Sequence, residues 1–218
     1  MKIKLNLQIF IFLLIFILTR QIKIYGVLML FAFIHELGHM CAGIILGFKP
    51  SNLEIMPFGV RVSFDVKAKN YNKKIKKGTI LTIKKIIIAL MGPITNLIFV
   101  ILYLMFDMTF LGIQREFVVY SNILIGLFNL IPIYPLDGGR IIKCLVHILC
   151  GRKESYKYIN LISNITIIIL TFVASIAILY LKNIAVLFII VYLWGIVIIQ
   201  NKRYRKKMRI LENFENSY

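Results

Sequence analysis

The sequence predicts an all-α polytopic membrane protein of about six transmembrane helices, with a small β-hairpin at the cytoplasmic membrane face. Three observations carry that prediction. Of 218 residues, 60% are hydrophobic and the mean hydropathy is +0.85, against about 45–50% apolar in an ordinary soluble domain. The apolar residues gather in runs near the roughly 20 residues that cross a bilayer. The 27 Lys and Arg, against 9 Asp and Glu, sit between those runs. Five or six runs of this length fill the chain, so it reads as one membrane domain, 1–200, closed by a basic cytoplasmic tail, 201–218.

The first run, 5–19, follows a short basic start and resembles a signal peptide. Thr19-Arg20-Gln21 offers no small-residue cleavage site, so an uncleaved span is expected. The second span, 24–47, is interrupted by His35, Glu36 and His39. After it, Leu53 and Ile55, then Val60, Val62, Phe64 and Val66, alternate with polar residues around Pro57-Phe58-Gly59. Period two around a turn predicts the hairpin, whose edge could pair with an unwound peptide. Residues 67–85 read as a basic loop. The third span is 86–106. The fourth begins at Phe117 and is broken by Pro132 and Pro135, since proline removes a backbone donor. A polar and amphipathic stretch, 137–157, precedes a fifth span at 158–181 and a sixth at 184–200.

Sidedness follows from counting. With both termini cytoplasmic, Lys and Arg divide 23 inside to 4 outside, the positive-inside asymmetry of an integral membrane protein; the abundance of Ile, Lys and Asn points to a bacterial inner or cell membrane. The same interleaving argues against nucleic acid as the partner of this basic chain. Cys41, Cys144 and Cys150 make no disulfide framework and are expected to pack as small apolar residues.

Ionisable groups within a membrane span are costly and mark function. His35-Glu36-Leu37-Gly38-His39 is H-E-x-x-H. Positions i and i+4 share a helix face, so the two imidazoles can hold one Zn²⁺ while Glu36 takes a proton from water beside it. A catalytic zinc takes three protein ligands. Asp137, His147, Glu54, Asp65 and Glu154 are candidates for the third. Asp137 is favoured, because the prolines before it break a helix where a cavity could be lined. His147 is the runner-up, and a plain turn also accounts for the Pro, Asp and Gly residues here.

Three motifs in order make the chain resemble the site-2 protease family of intramembrane zinc metalloproteases (peptidase family M50). These are His35/Glu36/His39, the G-P-x-x-N match Gly92-Pro93-Ile94-Thr95-Asn96, and Asn129/Pro132/Pro135/Asp137/Gly138. The resemblance implies one Zn²⁺ per chain held by His35, His39 and Asp137, with Glu36 catalytic. It gives Asn129, and more weakly Asn96, a place near substrate or oxyanion. Within the family the chain resembles the six-span branch typified by stage IV sporulation protein FB. That branch carries a CBS domain after its last span, and the 18 residues after Gln200 are expected to be too few for one.

The resemblance implies regulated intramembrane proteolysis of a membrane-associated regulator, a sporulation pro-sigma factor or an anti-sigma factor. The expected partners are the lipid bilayer and a membrane-tethered protein substrate, with room for an inhibitory membrane partner and no nucleic acid. A metal-binding membrane transporter and a catalytically silent scaffold are the alternatives. The first gives no reason for Glu36 between the histidines, and the intact motifs argue against the second.

Overall fold

The computed structural model describes residues 2–5, 17–18, 22–56, 59–65, 75–106, 114–181 and 185–215. The chain divides into two compact units, Met1–Asn129 and Leu130–Tyr218. The first predicted span, 5–19, lies outside the described residues except at Leu5, Ile17 and Leu18.

In the first unit, β1 (Lys2–Leu5) pairs parallel with β2 (Lys49–Met56), and β2 pairs antiparallel with β3 (Gly59–Asp65), in the order β1-β2-β3. The turn residues 57–58 lie outside the described residues. Leu5, expected to open a membrane span, is instead a strand residue opposite Ile55. The fold class is therefore mostly helical rather than all-α.

Helix α1 (Ile22–Ile45) ends in a cap that its sequence dictates. Gly47 takes φ 87°, its N–H donates to Ile44 O at 2.9 Å, and Phe48 N–H donates to Gly43 O at 2.9 Å. This is the Schellman arrangement, in which a glycine tolerates the left-handed conformation. Lys84 Nζ donates to Leu46 O at 2.9 Å and puts a cation at the negative helix end. A Cβ on Gly43 would overlap the Phe64 ring, so α1 lies directly against β3.

Helix α2 (Ile75–Met105) begins eleven residues before the predicted third span, inside the expected basic loop. Lysine is a good helix former, and tertiary contact continues the helix to Lys84 at the α1 cap. Pro93 stands inside α2. Helix α3 (Arg115–Leu130) has 16 residues, about 24 Å. Val27, Phe31, Tyr103 and Val118 form the buried cluster of this unit, and Phe31 meets Phe99 edge to face at 5.8 Å between centroids.

In the second unit, α4 (Asp137–Leu181) is two helical segments in sequence, because Gly151 has φ 85° and ψ 178°. The break falls inside the predicted amphipathic stretch. Helix α5 (Ala185–Glu215) does not end at the predicted boundary of the tail but continues past it to Glu215. Ile159, Ser163, Ile167 and Ala174 are buried on one face of α4, and Leu193, Val197 and Gln200 on one face of α5. Trp194 Nε1 donates to Thr171 Oγ1 at 3.0 Å, and Asn201 Nδ2 to Asn164 Oδ1 at 3.0 Å.

Among the described residues, four helical stretches are long and apolar enough to cross a membrane: Tyr25–Ile45, Thr79–Met105, Asp137–Tyr180 and Val186–Ile210. Cys41 and Cys150 are exposed and Cys144 is half-buried.

Candidate metal centre

Helix α1 carries His35, Glu36 and His39 into the interior, at 3%, 7% and 2% exposure. The one-turn spacing places the two imidazoles on one face, edge to face, with ring centroids 4.8 Å apart and Nε2 atoms 3.2 Å apart. Two nitrogens each about 2.0–2.1 Å from one tetrahedral zinc would lie about 3.3 Å from each other. The histidine pair therefore fits that ion.

The tautomer of His39 follows from its surroundings. Nδ1 lies 2.6 Å from the carbonyl of Ile88 on α2. A carbonyl can only accept, so Nδ1 carries the proton and Nε2 keeps its lone pair for a ligand bond. The Glu36 carboxylate stands 3.7 Å from the same Nε2, within reach of a water beside the nitrogens.

Gly92 makes the approach of α2 possible. A Cβ there would overlap both imidazoles, and a Cβ on Gly38 would overlap Thr95 Oγ1. Small residues let helix backbones come close where hydrophobic exclusion from water is unavailable. One residue later, Pro93 has no N–H to give Ala89.

Each asparagine donates to a backbone carbonyl. Asn96 is 1% exposed, and its Nδ2 donates to Asn122 O on α3 at 3.2 Å. Its Oδ1 is buried with no hydrogen-bond partner among the described residues. Asn129 Nδ2 donates to Ile125 O, one turn back on its own helix, at 3.0 Å.

Asp137 belongs to the second unit, as the first residue of α4 and 3% exposed. Its Oδ1 lies 3.4 Å from Arg140 Nη1. The turn before it is wound tightly: Leu136 N–H donates to Ile133 O at 2.8 Å and Arg140 N–H to Leu136 O at 2.9 Å. Tyr134 N–H donates to Ser163 Oγ at 3.2 Å. Cβ atoms on Gly138 and Gly139 would overlap the backbone of Leu130 and of Ile133–Tyr134. The glycine pair thus lets the incoming chain lie on the first turn of the helix that Asp137 opens.

Of the other third-ligand candidates, His147 and Glu154 are half-buried on α4, while the side chains of Glu54 and Asp65 lie outside the described residues. His35, His39 and Asp137 each offer one ligand atom from a buried side chain. Two imidazoles and a carboxylate match the donor chemistry of catalytic zinc. Sequence reasoning missed the Ile88 carbonyl, which has no side-chain signature. It also missed the steric part played by Gly92, whose only signal was its place in Gly92-Pro93-Ile94-Thr95-Asn96.

Comparison with known proteins agrees with this chemistry. The model of peptidase family M50 matches residues 24–116 and 109–173. A zinc metalloprotease of Methanocaldococcus jannaschii is 29% identical over 145 residues, 64% of this chain and 39% of that protein. Stage IV sporulation protein FB of Bacillus subtilis is 26% identical over 131 residues, 59% of this chain and 42% of that protein. The matches thus span about two fifths of the length of these relatives. The solved site-2 protease from Methanocaldococcus jannaschii superposes with a TM-score of 0.64 at 21% identity, over 91% of this chain and 89% of that one. The fold is shared with it.

Proposed function

This chain belongs to peptidase family M50, and from that premise we propose that it is a zinc metalloendopeptidase that cuts membrane-tethered proteins at or inside the bilayer. The observation that carries the reading is the histidine pair. Two buried Nε2 atoms lie 3.2 Å apart with a carboxylate 3.7 Å from one of them. In this reading His35, His39 and Asp137 hold one zinc ion, and the chain crosses the membrane six times with both termini in the cytoplasm. Residues 1–200 are the protease domain and 201–218 its basic extension.

When bound, zinc supplies Lewis acidity and brings the pKa of water to about 7. The chain's residues do the rest. His39 is held in one tautomer by the Ile88 carbonyl, so its lone pair is always presented. Glu36 takes the proton of the attacking water and passes it to the leaving amine as the peptide C–N bond breaks. Asn129 or Asn96 donates to the substrate backbone or the oxyanion. The low exposure of all three motif residues keeps bulk water away, which strengthens each of these interactions.

The proposed substrate is a membrane-associated regulatory protein. A sporulation pro-sigma factor is the first to test, by way of the similarity to stage IV sporulation protein FB. The experiment co-expresses a tagged membrane-tethered pro-sigma factor with wild type or Glu36→Gln at matched membrane levels. A product that forms with wild type and vanishes with Glu36→Gln supports the proposal. Equal product with both assigns the cutting to another protease. No product with either overturns this substrate, and a membrane-anchored anti-sigma factor takes its place in the same assay.

A further inference from the structure

Around the turn that leads to Asp137, the second unit builds a ladder of cations and aromatic rings. Lys143 Nζ lies 4.5 Å from the centroid of Tyr134 and 4.2 Å from that of Tyr156. Lys207 Nζ lies 4.7 Å from the same Tyr156 ring and donates to its hydroxyl at 3.5 Å. Tyr134 stands three residues before Asp137, in the irregular stretch between α3 and α4, and Lys143 stands on α4 beyond it. Tyr156 lies past the Gly151 break and Lys207 on α5. Four residues from four places in the sequence thus form one stack, with one end on the turn that sets Asp137.

An ammonium between two ring faces is attracted to both quadrupoles, and the attraction grows as water is excluded. Lys143 and Tyr134 are both half-buried. The backbone of Tyr134 is already anchored by its bond to Ser163 and by its contact with Gly139. The Tyr134 side chain is held from elsewhere, by the ammonium of Lys143 over its ring. Lys143 clamps that ring from the helix that Asp137 begins.

We propose that Lys143 is a positioning residue for the metal-ligand turn, acting on Asp137 through the ring of Tyr134, with Tyr156 as the platform that holds the ammonium in place. The inference rests on the zinc reading above. It requires the charge of Lys143 and the ring of Tyr134, and it does not require the Tyr134 hydroxyl. Groups that orient metal ligands cost roughly 10–100-fold in metal affinity or activity when removed.

The test measures the zinc dissociation constant of the full-length protein in anionic lipid nanodiscs, by competition with a chromophoric chelator. The variants are Lys143→Met, Lys143→Arg, Tyr134→Leu, Tyr134→Phe and His35→Ala. Lys143→Met and Tyr134→Leu are expected to weaken zinc about 10-fold, while Lys143→Arg and Tyr134→Phe stay within about 2-fold of wild type because charge and ring survive. Wild-type affinity in Lys143→Met, or equal losses in Lys143→Met and Lys143→Arg, would overturn the positioning role. His35→Ala separates the two levels of inference. If it binds zinc as wild type does, the metal reading itself falls. If it loses zinc while Lys143→Met keeps it, only the ladder falls.

Discussion

His39 and Ile88 are 49 residues apart in sequence, yet the imidazole Nδ1 donates to the Ile88 carbonyl at 2.6 Å. That bond leaves the ring with one nitrogen to offer. It also ties α1 to α2 beside Gly92, so the histidine motif and the G-P-x-x-N segment act as one piece of structure.

Glu36→Gln keeps shape and removes the proposed base. Cleavage is expected to fall by at least about 100-fold, the usual contribution of a positioned general base, with zinc content unchanged. Cleavage rate and metal content measured on the same membrane preparation check this. Parallel loss of zinc would assign Glu36 a structural part instead.

Metal removal is expected to be complete and reversible in effect. A membrane-permeant zinc chelator should abolish cleavage by wild type, and added Zn²⁺ should restore it. His39→Ala should not be rescued at the same zinc concentration. Persistent cleavage after verified zinc depletion would contradict a metalloprotease.

Gly92→Ala places a methyl group where the imidazoles stand. Overpacking of a tight contact costs about 1–3 kcal/mol, and here the strain falls on the imidazoles of His35 and His39. Zinc affinity and thermal stability are both expected to drop. Gly195→Ala is the control, because nothing lies within 4 Å of a Cβ there. Equal behaviour of the two variants would show that α2 does not crowd the histidines.

Asn96 bridges α2 to α3 through Asn122 O. Interhelical hydrogen bonds in membranes are worth about 0.6 to 2 kcal/mol, so Asn96→Ala should lower the midpoint of thermal unfolding. If Asn96 also serves substrate, kcat will fall further than the loss of folded protein accounts for. Normalising activity to folded protein resolves the two effects.

The sheet order suggests where an unwound substrate strand can add. Among the described residues β2 already has β1 and β3 on its two sides, so the strand edge left to the β2–β3 pair is that of β3. Prolines at alternate positions of β3 should reduce cleavage without lowering zinc content, because proline removes a ladder donor. Unchanged cleavage across the series would direct the search for the substrate path elsewhere.

The sequence displayed the parts of this molecule that depend on local periodicity. His35 and His39 lie one helical turn apart, and that spacing alone predicted their shared face. The prolines at 132 and 135 marked the interruption between α3 and α4, and the fifth and sixth apolar runs are helical. What depends on distant partners was not legible. Lys2–Leu5 is a strand only because β2 lies beside it, and its composition suits the start of a span as well. The start of α2 at Ile75 and the run of α5 to Glu215 were hidden because lysine-rich segments read equally as helix or solvated loop. The clamp of Lys143 on Tyr134 and Tyr156 required folding across the Gly151 break.

Helix α3 has a consequence for the lipid around it. In the proposed six-span arrangement its 16 residues, about 24 Å, cross a hydrocarbon layer of about 30 Å. A deficit of about 6 Å would draw the two leaflets together at that point. In that arrangement bilayer thickness would be a variable to which turnover responds. Short-chain lipids relieve the mismatch and long-chain lipids deepen it, so turnover in vesicles of graded acyl length should trace an optimum on the thin side of an average membrane.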